Sequence, residues 1–144
     1  MLVLPDIPSV ASVAPMPGSP TMLEAFRHIV HAARNSLAGL RHLLATEVAA
    51  RIEIAAAVLA FLWLAILGRG IGDFVILLVI FCILMSVEAL NTAIERIVDR
   101  ESPEISEFAR VTKDLGSTAV FFALSAAGVF LIAVTADSAG LIAL

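Results

Sequence analysis

The chain has 144 residues, 60% of them hydrophobic and 15% charged, with a mean hydropathy of +1.02. These values lie outside the range of ordinary soluble domains and predict one compact integral membrane domain. The formal charge of −4 comes with no basic stripe among aromatics, which argues against nucleic acid as a partner. A single cysteine, Cys82, rules out an intrachain disulfide and reads as a packing residue of an apolar segment.

Residues 1–20 hold Pro5, Pro8, Pro15, Pro17 and Pro20 among small residues, without a basic n-region or an adequate apolar h-region. A disordered arm is expected there, and a cleaved signal peptide is not. From Thr21 onward, residues 21–144 read as one membrane domain. Thr21 and Glu24 form a capping-box signature that opens a surface helix over about 21–45. Leu23, Phe26, Ile29, Val30, Ala33, Leu37, Leu40, Leu43 and Leu44 recur at helical spacing. Arg27, His28, His31, Arg34 and Arg41 occupy the opposite face. A helix of this kind, apolar on one side and basic on the other, lies in a membrane interface.

Three apolar runs follow, Ile54 to Leu67, Phe74 to Leu90 and Leu115 to Ala136. They predict spans over about 48–67, 73–98 and 113–137, since a crossing needs about 20 residues and the first run must borrow from Ala49 to Glu53. The fold class expected is therefore all-α, a surface helix plus three transmembrane helices. Gly68-Arg69-Gly70-Ile71-Gly72-Asp73 reads as a tight connection, and Ser102-Pro103 as the start of the last helical segment, with Ser102 as N-cap. Ala119, Ala123 and Ala127 line one side of the third span with small residues, which allows close helix contact. Arg27, Arg34, Arg41 and Arg51 precede the first span, and Arg96, Arg100, Arg110 and Lys113 lie between the second and third. Only Arg69 falls on the other side. The positive-inside rule then predicts a cytoplasmic N-terminus and an external C-terminus.

The chemistry concentrates where the second run leaves the hydrocarbon. Glu88, Asn91 and Glu95 are spaced i, i+3 and i+7 on one helix face. Measured from Phe74, Glu88 lies about 21 Å along the axis, inside a slab of about 30 Å, and Glu95 lies just beyond it at about 32 Å. An acid at that depth costs roughly 2.5–3.5 kcal/mol on insertion scales, so a function is its default explanation. One carboxylate at lipid depth and one in water suit a reaction between a membrane-dissolved hydroxyl and a water-soluble donor. Glu88 is the candidate base. Glu47 and Glu95 are candidate oxygen ligands for a hard cation such as Mg²⁺. A Glu47–Arg51 ion pair at i, i+4 is the competing reading of Glu47. Asp99, Glu101, Glu104 and Glu107 read as a solvated rim, and His28 and His31 as interfacial residues lacking a third zinc ligand. No P-loop is present.

The stretch Val87-Glu88-Ala89-Leu90-Asn91-Thr92-Ala93-Ile94-Glu95, with Val98-Asp99-Arg100, resembles the bacterial integral-membrane diacylglycerol kinase family. So do Lys113-Asp114-Leu115-Gly116-Ser117, Ser36, Gly39-Leu40-Arg41 and residues 47–53, and the resemblance covers about 23–136. It implies a homotrimer in the bacterial cytoplasmic (inner) membrane, with active sites shared between protomers. The reaction implied is phosphoryl transfer from MgATP to diacylglycerol, giving phosphatidate. By position, Glu88 is the implied general base and Glu47 and Glu95 the metal ligands. His28, Asn35, Glu47, Asn91, Glu95, Glu104, Ile105, Ser106, Lys113 and Asp114 are the implied nucleotide contacts. Ala32, Ala33, Ser36, Leu37, Arg51, Glu88 and Ser117 are the implied lipid contacts. His28 and Asn35 depart from the arginine and the aromatic residue of close relatives. A sister branch phosphorylates undecaprenol, and Glu53 with Gly116-Ser117 resembles the diacylglycerol branch more. A small ion- or proton-transporting subunit is the alternative from another class, and a noncatalytic scaffold is a third.

Overall fold

The computed structural model describes residues 21–102, 104 and 106–143. The proline-rich arm, Pro103 and Ile105 lie outside them. The described residues are helical almost throughout, in the order α1 (Met22–Thr46), α2 (Val48–Ile66), α3 (Ile71–Glu101) and α4 (Glu107–Ser138). This is the all-α class expected from the sequence, with three helices long and apolar enough to cross a membrane. The chain divides into two compact units between Ser36 and Leu37.

In the first unit, α1 starts on the expected capping box. The Thr21 amide donates to Glu24 Oε2 at 2.7 Å, and the Glu24 amide donates to Thr21 Oγ1 at 3.3 Å. Each interaction satisfies a group that the first helical turn leaves unpaired. These bonds hold the Glu24 carboxyl below the ordinary glutamate range, the Thr21 amide contributing most.

In the second unit, α2 ends in a Schellman turn. The Gly68 amide reaches the Ala65 carbonyl at 3.1 Å and the Arg69 amide reaches Leu64 at 3.0 Å. Gly68 adopts a φ of 67°, the left-handed geometry that this cap requires. The chain then reverses into α3, which packs along α4 extensively and against α2 to a lesser degree. The core near this turn consists of Ala60, Leu64, Leu77 and Val134, flanked by Phe61, Phe74, Phe130 and Leu131. Arg69 ties the turn to the end of α4, with its Nε donating to Asp73 at 2.7 Å and its Nη1 donating to Asp137. Those carboxylates, Asp137 foremost, raise the guanidinium pKa further above its already high value.

Two local expectations need correction. Ser102 does not begin a helix: α3 continues through Glu101, and the Ser102 amide closes its last turn on the Val98 carbonyl at 2.8 Å. The N-cap of α4 is Ser106, whose Oγ accepts from the Ala109 amide at 3.1 Å. Cys82 is exposed rather than packed. Residues such as Leu59, Leu62, Leu78, Phe121, Phe122 and Ile132 also point outward, so each spanning helix presents an apolar outer face.

Candidate active site

At the opposite end of the second unit from Arg69, α2 and its N-cap carry Glu47 and Glu53 and α3 carries Glu88 and Glu95, four carboxylates of which Glu47, Glu88 and Glu95 border one cleft. Glu47 occupies the α1–α2 junction as the extended N-cap residue of α2. Its amide closes on Leu43 at 2.8 Å, and Thr46 Oγ1 donates to its Oε1 at 3.0 Å. The positive end of the α2 dipole favours a carboxylate at this point. Glu53 and Glu88 face each other from α2 and α3 and are only 6% and 4% exposed. Glu88 is within Coulombic reach of Glu47, Glu53 and Glu95. Among the described residues no lysine, arginine or histidine forms a salt bridge with any of the four. Uncompensated negative charge in a low-dielectric cleft attracts cations.

The cleft is a cavity of about 330 Å³ lined by Glu47, Ala49, Glu88, Asn91, Thr92, Glu95, Ser117 and Val120. The helical spacing of Glu88, Asn91 and Glu95 thus does align them on one wall. Asn91 Nδ2 donates to Glu95 Oε1 at 3.0 Å, while its Oδ1 is buried without a partner among the described residues. The oxygen donor set fits a hard cation. Among the described residues no group of three or more metal-ligating side chains converges. The cleft carboxylates could hold such a cation only with oxygens from outside the protein completing its shell.

The remaining sequence candidates separate. Lys113 is bound to Asp99, and both line a second hollow of about 210 Å³ with Ser102, Glu104, Ser106, Ala109 and Arg110. Asp99 is exposed, as a solvated rim residue would be, and is also the partner of Lys113. Asp114 pairs with Arg110 at 2.9 Å. Arg51 forms no ion pair with Glu47, against the competing expectation. Its Nη1 donates to the Leu44 carbonyl at 2.9 Å and so satisfies an orphan group at the end of α1. His28, Ala32, Ala33, Asn35 and Ser36 are exposed positions of the first unit, and Leu37 is an exposed position of the second. Ile105 lies outside the described residues.

Sequence reasoning underrated Glu53. Its Oε2 is buried and has no partner among the described residues, and it borders a small apolar cavity of about 80 Å³ with Ala56, Ala60, Leu77, Phe81 and Leu84. The signal was present, an acid between Ile52 and Ile54 at the head of an apolar run, and the depth argument applied to Glu88 applies to it equally.

Residues 34–135 match the family described as prokaryotic diacylglycerol kinase. The chain belongs to that family. It is 43% identical over 104 residues to a diacylglycerol kinase from Sinorhizobium sp, covering 72% of this chain and 75% of the relative. It is 31% identical over 102 residues to the diacylglycerol kinase of Haemophilus influenzae, covering 71% and 86%. With the diacylglycerol kinase of Escherichia coli strain K12 it shares 38% identity over 99 residues, covering 69% and 81%. The matched segment contains α2, α3 and every residue of the carboxylate cleft.

Proposed function

We propose that this member of the prokaryotic diacylglycerol kinase family transfers the γ-phosphoryl group of ATP to the free hydroxyl of diacylglycerol, with Glu88 as general base. The supporting observation is the position of Glu88: buried, and on the same cleft wall as Asn91 and Glu95. A lipid hydroxyl approaching along the α2–α3 side meets the Glu88 carboxylate before it meets water. Glu88 takes the hydroxyl proton as the lipid oxygen forms its bond to the γ-phosphorus. The bond between that phosphorus and the β–γ bridging oxygen breaks, and ADP leaves with the electron pair. Phosphatidate and ADP are the products.

Glu47 and Glu95 would hold Mg²⁺, which would supply positive charge to offset that of the phosphates. Lys113 exchanges Asp99 for phosphate oxygens when nucleotide enters, and Glu104 and Ser106 border the nucleotide. Asn91 and Asp114 complete its contacts. Leu37, Arg51 and Ser117 contact lipid, and Glu53 orients the hydroxyl toward Glu88. The cleft opens to the cytoplasm, because eight of the nine basic residues flank that end and Arg69 alone marks the outside. The apolar outer faces of the spans support assembly as a homotrimer.

Purified protein in mixed micelles, given γ-labelled ATP with diacylglycerol or undecaprenol, tests the reading. Label in phosphatidate, with far less in undecaprenyl phosphate, is expected. Preferential labelling of undecaprenol, or no lipid label with either alcohol, contradicts it.

A further inference from the structure

We infer that Gly116 is a positioning residue for Glu95, acting through Asn91; the inference rests on the proposed role of Glu95 as a cation ligand. Gly116 is buried on α4 where that helix meets the cleft wall of α3. A Cβ at this position would overlap Asn91 Oδ1 and lie 3.3 Å from Asn91 Cγ. The absent side chain is thus the space the Asn91 amide occupies. Asn91 Oδ1 stays buried there without a partner among the described residues, while Nδ2 donates to Glu95 Oε1 at 3.0 Å. An orphaned amide oxygen is unfavourable, so this pose persists because it satisfies the Glu95 carboxylate. The reversed amide would set Oδ1 against a carboxylate oxygen, so Glu95 fixes the orientation.

The consequence is a relay from α4 to the cleft. Gly116 admits the amide, the amide occupies one Glu95 oxygen, and the other oxygen, without a protein donor among the described residues, is available to a cation. Glycine inside a helix is less favourable than alanine. A purely helical role would therefore be served better by alanine.

Mn²⁺ binding to the full chain in detergent micelles, followed by electron paramagnetic resonance, supplies a readout besides activity. Gly116→Ala is expected to weaken Mn²⁺ binding about 10- to 100-fold, as loss of an outer-shell partner does, with Tm unchanged or raised. Gly128→Ala, at a helical glycine with open space around it, binds as the parent does. In an Asn91→Ala background, where the overlap is relieved, Gly116→Ala adds no further loss, and this double variant also serves should the single one fold poorly. Parent-like binding by Gly116→Ala, or losses that simply add in the double variant, overturns the inference. Glu95→Gln separates the two layers. If it abolishes binding while Gly116→Ala binds as the parent does, only the relay falls; if it binds as the parent does, the cation reading falls and takes the relay with it.

Discussion

Glu53→Gln preserves side-chain shape while removing a charge that no cation balances. Burying an unpaired carboxylate is unfavourable, so this variant is expected to melt at the same or a higher temperature than the parent. Its KM for diacylglycerol should rise several-fold with the KM for ATP unchanged, measured by varying each substrate in turn; a change confined to ATP contradicts a role for Glu53 on the lipid side. Glu88, Asn91 and Glu95 were legible in the sequence because helical periodicity alone sets three side chains on one face, and depth singles out the acid among them. The Lys113–Asp99 pair was not legible, since it joins residues of two helices through a reversal whose geometry no local pattern fixes. The same limit hid the contact between Asn91 and Gly116.

The helices themselves are written in long apolar runs, and their caps decide where they stop. The boundary between α3 and α4 was misread because Ser102 and Ser106 are equally good N-cap residues by type. The amphipathic stretch after Leu90 carries α3 on to Glu101, past the end of the apolar signal, which leaves the cap to Ser106. At the start of α1, the lowered Glu24 pKa makes the capping box dependent on pH. A carboxylate with a depressed folded-state pKa contributes stability above its unfolded value and loses it as pH falls through the folded one. The Thr21 and Glu24 amide resonances should therefore shift together on acidification below the ordinary glutamate range, and Thr21→Ala should remove that coupling. Independent titration of the two amides contradicts the box. At the other end of the spans, Arg69→Met leaves Asp73 and Asp137 without their shared cation. Its Tm should fall while kcat/KM measured below that Tm stays at the parent value, because the clasp is remote from the cleft; a loss of turnover without a loss of stability contradicts this separation.

At the scale of the whole molecule, α2, α3 and α4 bury little of their apolar surface within one protomer. Lipid and further copies are the available partners. The proposed trimer predicts a protein mass of three chains by native mass spectrometry in detergent. It also predicts that mixing Glu88→Gln with Lys113→Met protomers restores part of the activity both lack, since the two residues line separate hollows that neighbours could pair; monomers, or mixtures as inactive as their components, contradict it. The central claim is that a lipid hydroxyl gives its proton to Glu88, and the most direct test is label transfer from ATP to diacylglycerol by Glu88→Gln. A fall of about 10²- to 10⁴-fold in kcat, with Mn²⁺ binding and Tm at parent levels, is the expected result for loss of a general base. Turnover within a few-fold of the parent would contradict the account.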